Sequence, residues 1–379
     1  MFIKKILLWF LETVVAIAPK FNWCVLRGFP DYDDNCLAIY ERLPDYGCRK
    51  IIWIVSDPSA ARPFQPYGNT IFVKRNSMSD YFFSSLAKYL FITHGHFLEN
   101  IPANQMCVNL WHGIPYKVIG KLDGKAGRSD SMVVATSPLT REVFAQVFDV
   151  DRNRVVITGQ ARTDRMFVDR KQVRARLGLA ADSSTKIFLW LPTYRKTSMA
   201  GGRLDGKDSG NVFNCAGFPT ADFDAYLKAN DAICLVKPHP MAPAVGDLGT
   251  DNLRYISDSW LREKGLTLYQ LAGITDCMVS DISSIVIDFL LMDKPVVLLF
   301  EDIAEYRSSR GFVFSPVENW LPARVNTGYG EFIDDLDAVM AGQDRYASER
   351  QRLKAEFFEH HDNRSAIRIL DRAWRRTPA

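Results

Sequence analysis

Short apolar runs rich in Val, Ile and Phe recur along this chain, each closed by small polar, Gly or Pro residues and followed by a helical or loop segment. In the first half they fall at Trp23–Leu26, Ile51–Val55, Thr70–Val73, Leu90–Thr93, Cys107–Trp111, Met132–Thr136 and Val155–Thr158. The second half repeats the style at Ile187–Leu191, Ile233–Lys237, Leu253–Ile256, Cys277–Ser280 and Val296–Phe300. Runs of this kind suit parallel strands with crossover helices. The expected class is therefore α/β: two Rossmann-like, doubly wound lobes facing each other across a cleft. Ligands in such sheets bind outside the carboxyl ends of the strands, so the residues that follow each run are the ones to weigh.

A chain of 379 residues is too long for one ordinary core, which also argues for two lobes. The charged Asp164–Thr185 stretch is the natural junction. The reading gives residues 1–22 as an amphipathic N-terminal helix, 23–170 as the first lobe, 171–345 as the second and 346–379 as a C-terminal helical segment. Met199–Ser209, rich in Gly, Asp and Lys, reads as an exposed loop. Hydrophobic content of 47% and charged content of 24% are those of a globular protein. The net charge of +3, with no long basic run, gives no ground for a nucleic-acid partner. Seven scattered cysteines without a C-x-x-C pair indicate neither a disulfide framework nor a zinc site, and reduced thiols are expected.

The N-terminus imitates a signal peptide: Lys4 and Lys5 precede the apolar Ile6–Ala18, and Ala16-Ile17-Ala18 mimics a cleavage site. Glu12 interrupts that run, and Pro19 would stand just after the cut. The run also falls short of the roughly 20 residues a spanning helix needs. On a helical wheel Phe2, Ile3, Ile6, Leu7, Phe10, Val14 and Ile17 share one broad face. Two readings stand: a helix lying in a membrane surface, or a first helix packed on the core.

Chemistry-bearing clusters follow several runs. After Val279 come Ser280, Asp281, Ser283 and Ser284, and then the periodic segment Ile285–Leu291 containing Asp288. Small polar residues at a strand-to-helix switch cap the first amides, and amides left over can seat a phosphate. An ordinary capped helix accounts for the pattern equally well. Trp111-His112-Gly113-Ile114-Pro115-Tyr116-Lys117 holds a histidine at a strand end beside turn-fixing Gly and Pro. That imidazole could take a proton from an attacking hydroxyl, or it could simply be bonded into the turn. Gly159-Gln160-Ala161-Arg162-Thr163-Asp164, Pro192-Thr193-Tyr194-Arg195 and Lys237-Pro238-His239-Pro240 end other strands, and Asp302, Tyr306 and Arg310 follow the last.

Taken in order, these pieces resemble the CDP-glycerol glycerophosphotransferases, the polymerases and primases of teichoic-acid synthesis. The similarity rests on Trp111-His112-Gly113-x-Pro115-x-Lys117, Gly159-x-x-Arg162-x-Asp164, Pro192-Thr193-x-Arg195, Lys237-x-His239-Pro240, Ser280-Asp281-x-Ser283-Ser284-x-x-x-Asp288, Lys294-Pro295 and Asp302-x-x-x-Tyr306-x-x-x-Arg310-Gly311. Ile114, Tyr116 and the Ala161-Arg162-Thr163 triplet depart from the family pattern. The resemblance implies a GT-B fold with an N-terminal acceptor lobe and a C-terminal donor-nucleotide lobe, working without a metal or other cofactor. It implies transfer of glycerol phosphate from CDP-glycerol, or of a related polyol phosphate from its CDP-polyol, to a hydroxyl of a lipid-linked or polymeric saccharide, releasing CMP. His112 would then be the general base, and His239 would help the CMP phosphate leave. Thr193, Arg195, Lys237, Ser280, Asp281, Ser283, Ser284 and Asp288 would serve the donor. Lys117, Arg162, Asp164, Tyr306 and Arg310 would line the cleft or meet the acceptor. The expected location is cytoplasmic, peripheral on the inner face of the membrane. Two rivals remain, a GT-B glycosyltransferase using a nucleotide sugar and a non-catalytic glycolipid-binding scaffold. Oligomeric state is not readable.

Overall fold

A computed structural model describes residues 12–60, 62–98, 100–124, 127, 129–195, 205–207, 209–239 and 248–376. Residues 1–11, most of the Met199–Ser209 loop and Pro240 lie outside them. The chain forms two compact units. One comprises residues 1–112, 119–167 and 357–379, and the other residues 113–118 and 168–356. The C-terminal segment read from sequence as a single piece thus divides between the units.

The first unit is built on a seven-stranded sheet: β1 (Phe21–Arg27), β2 (Lys50–Val55), β3 (Thr70–Lys74), β4 (Ala87–Ile92), β5 (Met106–Asn109), β6 (Met132–Ala135) and β7 (Val155–Ile157). Every neighbouring pair is parallel, in the spatial order β3-β2-β1-β4-β5-β6-β7. The order reverses between β1 and β4, which makes that gap the switch point. Strand side chains alternate between two buried faces. Cys24, Leu26, Ile51, Trp53, Tyr89 and Phe91 pack on one side, while Val25, Ile52, Ile54, Leu90 and Ile92 pack on the other. Burial on both faces is why the strands read as unbroken apolar runs.

The helix Ser365–Arg376 closes the first face. Ala366, Ile369, Leu370 and Ala373 recur at helical spacing and are all buried, and the Trp374 ring stacks on Tyr89 with centroids 3.8 Å apart. At the other end of the chain, residues 12–17 are helical. Val15 is buried there, and the Glu12 carboxylate accepts from Asn100 N at 2.8 Å.

The second unit repeats the plan with six parallel strands: β8 (Lys186–Leu191), β9 (Ala232–Val236), β10 (Leu253–Tyr255), β11 (Cys277–Ser280), β12 (Val296–Leu299) and β13 (Val325–Asn326). Their order, β10-β9-β8-β11-β12-β13, reverses between β8 and β11. The two-residue β13 is too short to register as a run in the sequence. Trp190 centres this core, ringed by Phe213, Phe218, Phe223 and Phe332. None of the seven cysteines, all buried, takes part in a disulfide among the described residues. Among those residues no helix is long and apolar enough to cross a membrane.

Candidate active site

The switch point of the second unit carries a dense polar cluster. Asp281, the residue after β11, accepts from the Thr193 amide at 3.1 Å, from the Thr193 hydroxyl at 2.8 Å and from Arg195 Nη1 at 2.9 Å. It also accepts from Asn214 Nδ2 at 3.2 Å and from the Ile282 amide. Arg195 in turn meets Asp302 with two prongs, Nε at 2.6 Å and Nη2 at 2.7 Å. Burial works against the guanidinium charge, but Asp281 and Asp302 more than offset it and push the Arg195 pKa up. The loop past β8 therefore stands because two carboxylates hold it. Gly206 closes over this pair at φ +81°, and a Cβ there would come within 2.2 Å of Asp302 Oδ2.

Lys117, Tyr306 and Arg310 gather around the same cluster. Residues 113–118 belong to this unit: Val313 N donates to Tyr116 O at 2.7 Å, Lys117 forms an antiparallel bridge with Phe312, and Tyr116 Oη donates to Trp320 O at 2.7 Å. The Lys117 ammonium lies 5.3 Å from the Tyr194 ring and 5.9 Å from the Tyr306 ring. Burial lowers its pKa to about 8, with Asp281 and Asp205 pulling the other way and Arg195 and Arg310 reinforcing the drop. The Tyr306 hydroxyl is buried with no hydrogen-bond partner among the described residues, and the ring lies 5.1 Å from the Arg195 guanidinium. Arg310 Nη1 stands 4.0 Å from Asp205. These three were expected to line a cleft or meet the acceptor. The fold assembles them with Arg195 and Asp281, which were expected to serve the donor.

The half-buried His239, two residues beyond Lys237, packs beside Tyr194 with ring centroids 4.6 Å apart. Lys237 itself is buried and pairs with Asp258 at 3.0 Å. Ser280 Oγ donates to Leu191 O at 2.6 Å and latches β11 to β8. Asp288 is fully buried and accepts from Tyr269 Oη at 2.6 Å. Arg195, read from sequence as holding phosphate oxygens, Ser280, read as serving the donor, and Asp288, read as organising the serine turn or the donor's polar groups, are thus all engaged inside the protein. Ser283 and Ser284 are half-buried. The helix they introduce, Ile285–Phe289, runs only five residues before a 3-10 turn. Ser284 makes no side-chain cap, so the expected serine capping is absent. Among the described residues the amides of Ser283 and Ser284 bond to no protein acceptor.

In the first unit, His112 follows β5 by three residues and is exposed. Its Nδ1 lies 3.1 Å from the carbonyl oxygen of Thr93, just past β4. A carbonyl can only accept, so Nδ1 carries the proton and Nε2 holds the lone pair. The backbone is twisted on both sides, with φ +52° at Trp111 and +145° at Gly113. Trp111 is nevertheless held firmly. Its amide donates to Asn109 Oδ1 at 3.0 Å, and its carbonyl accepts from Asn35 Nδ2 at 2.8 Å. Asn35 also accepts from the Arg162 amide at 3.0 Å, which ties the Gly159–Asp164 segment to the histidine loop. Asp164, expected to line the cleft or meet the acceptor, is engaged by the C-terminal helix. Its carboxylate accepts from Ser365 N at 2.9 Å and Ala366 N at 2.8 Å, so it caps the C-terminal helix. Among the described residues no group of three or more His, Cys, Asp or Glu side chains could hold a metal ion.

Residues 10–375 match the family described as CDP-Glycerol:Poly(glycerophosphate) glycerophosphotransferase. The chain belongs to that family. A teichoic acid glycerol-phosphate transferase of Staphylococcus aureus (strain NCTC 8325 / PS 47) is 24% identical over 93% of this chain and 92% of its own length. The ribitol-phosphate polymerases TarK and TarL of the same organism are each 24% identical, and the match spans 57% and 51% of their lengths. The chain thus spans little more than half of those two relatives. The solved structure of the wall teichoic acid polymerase TagF superposes with a TM-score of 0.76 at 21% identity, over 98% of this chain and 95% of that one. UDP-GlcNAc 2-epimerase from Neisseria meningitidis gives 0.52 at 11% identity, over 93% and 99%. These likenesses speak to fold, and the fold is the expected GT-B type.

Among the residues of this chain, the sequence reading passed over Asn35, His94, Asp205 and Asn214. Asn35 stands in the first turn of the helix Asp34–Tyr40 and Asn214 on a loop, and neither follows a strand end that would mark it. His94 did follow a recognised strand, within Thr93-His94-Gly95-His96, and that position was its signal.

Proposed function

We propose that this protein transfers glycerol phosphate, or a related polyol phosphate, from its CDP-linked donor to a hydroxyl of a saccharide acceptor in surface-polymer synthesis. The acceptor O–H breaks as its proton passes to His112 Nε2. The oxygen bonds to the polyol-bearing phosphorus of the donor, the P–O bond to CMP breaks, and CMP leaves with that electron pair. Phosphoryl transfer of this kind needs positioning and spread positive charge more than covalent catalysis. Lys117, His239 and the amides of Ser283 and Ser284 supply that charge around the donor phosphates, with the Tyr306 hydroxyl as a further donor. In this reading neither metal nor cofactor takes part. The observation that carries it is the tautomer of His112: the Thr93 carbonyl holds the proton on Nδ1, so Nε2 is the basic nitrogen.

The test is CMP release from a panel of CDP-polyols with membrane extract as acceptor. A general base adds roughly 10²–10⁴-fold, so His112→Ala should retain at most about a hundredth of the activity, and EDTA should change nothing. UDP or CMP released from a nucleotide sugar would instead support a glycosyltransferase. Undiminished cellular function of His112→Ala and His239→Ala would favour a scaffold.

We also infer that the acceptor is lipid-linked and met at the inner membrane face. Val14, Ile17, Phe21, Met78 and Phe82 are exposed. Phe21 stacks on Trp23, Trp23 meets Phe83 at a tilt and Phe83 meets Phe82 edge-on, so the rings are in continuous contact. The Lys50 ammonium lies over Trp23 at 4.9 Å, giving that surface a cation suited to anionic headgroups.

A further inference from the structure

His112 is exposed. The hydrogen bond at Nδ1 fixes the tautomer, and two rings bear on the plane of the imidazole. Trp111 meets it at a tilt of 33°, with centroids 4.0 Å apart. The His94 ring lies parallel to His112, with centroids 4.2 Å apart and an interplanar angle of 6°. His94 is itself held on two sides. Its Nδ1 shares a hydrogen bond of 2.9 Å with the Thr93 hydroxyl, and the Phe29 ring meets it edge-on at 5.5 Å. The Phe29 amide donates to the same hydroxyl at 3.1 Å. Thr93 therefore grips both imidazoles, His112 by its carbonyl and His94 by its hydroxyl, at the switch point between β1 and β4.

From this geometry we infer that His94 is a positioning residue for the transfer reaction: it sets the plane of the His112 ring and so the direction in which Nε2 points. Proton abstraction is steeply sensitive to placement, and a shift of about 1 Å can cost roughly a hundredfold. A flat ring at van der Waals distance is enough for the role, so it needs stacking and not the titration of His94. The inference rests on the proposed role of His112 and adds to it a residue outside the motifs on which the resemblance was based.

The full-length protein decides it in two measurements. In steady-state CMP release, His94→Ala should lower kcat about ten- to a hundredfold with KM for CDP-glycerol changed less than about twofold. His94→Phe, which keeps a flat ring, should restore most of kcat. In a His112→Ala background, His94→Ala should cost nothing further, because the two act as one unit. The second measurement needs no turnover: NMR relaxation of the His112 ring should report one ordered orientation in wild type and larger-amplitude motion in His94→Ala, with the Nδ1–H tautomer kept in both. Wild-type kcat in His94→Ala, or its full loss persisting without His112, overturns the inference and leaves the reaction intact. Wild-type activity in His112→Ala removes the base itself and the inference with it. Thermal unfolding of each variant separates these outcomes from misfolding.

Discussion

Asp302 closes a two-pronged ion pair on Arg195, with its carboxylate oxygens 2.6 Å and 2.7 Å from Nε and Nη2. Both side chains are almost wholly buried. Removing one member of such a pair leaves the other charge stranded in low dielectric, at a cost of about 3–5 kcal/mol. Arg195→Ala and Asp302→Asn should therefore both lower unfolding free energy by about 3 kcal/mol or more in denaturant titrations. Arg195→Lys should rescue little, because a point charge cannot match the planar fork. A variant at Arg195 that binds donor poorly but unfolds like wild type would mean that the guanidinium contacts the donor after all.

In the proposed reaction, Lys117 gives donor binding a pH dependence. Burial lowers its pKa to about 8, so the ammonium is present at pH 7 and is lost as pH rises through 8. Phosphate binding requires the charged form and holds the proton on. The affinity for CDP-glycerol should then fall towards tenfold per pH unit above about 8. The groups facing Lys117 are Asp281, Asp205, Arg195 and Arg310, with the Tyr194 and Tyr306 rings beside it. Calorimetric titration from pH 7 to 9 measures the slope, and Lys117→Arg, charged throughout, should flatten it. Cytidine, which lacks phosphate, should bind with no such slope in either protein.

Asp164 links the cap of the C-terminal helix to acid stability. Burial raises its pKa to about 6, against the pull of the Ala366 and Ser365 amides and of Arg368. The unfolded value lies near 3.9, so between about pH 4 and 6 the folded state holds the proton more tightly. Stability from this group is complete below pH 4 and is lost as pH rises through 6. Relative to Asp164→Asn, wild type should lose on the order of 1–2 kcal/mol between pH 4 and 7, an amount discounted from the full linkage because the group is partly exposed. Urea unfolding of both proteins at the two pH values gives the difference directly. A difference that grows in wild type's favour as pH rises would mean that the helix amides hold the carboxylate charged.

Strand existence was legible because strands buried on both faces must be continuously apolar, and Ile51–Val55 or Ile187–Leu191 allow little else. The clusters after them were legible for the same topological reason. What the residues did was harder to read. Arg195 and Ser283 look alike as phosphate ligands in a string of letters, yet one is enclosed by Asp281 and Asp302 and the other is half-exposed beside a loose amide. That difference depends on Asp302, more than a hundred residues downstream of Arg195. The capping role of Asp164 was not legible because its partners, Ser365 and Ala366, lie two hundred residues away. His94 was overlooked because stacking on His112 arises from the adjacency of β4 and β5, which the sequence order alone does not impose.

The exposed apolar surface of the first unit offers a test independent of catalysis. Ile17 is 80% exposed, Met78 81% and Phe82 54%. Met78 and Phe82 lie one turn apart on the helix Met78–Leu86 and so share a face. Residues this exposed contribute little to folding, so replacing them with polar side chains should leave the melting temperature within a few degrees. Transfer of a large apolar side chain out of water is worth about 1.5–3 kcal/mol, and insertion into headgroups recovers only part of that. Ile17→Ser combined with Phe82→Ser should therefore weaken binding to anionic vesicles about ten- to a hundredfold in co-sedimentation. CMP release with a soluble acceptor should be unchanged, and release with a membrane-embedded acceptor should fall in step with vesicle binding. Equal vesicle binding by the double variant and wild type would assign membrane contact, if there is any, to another face of the molecule.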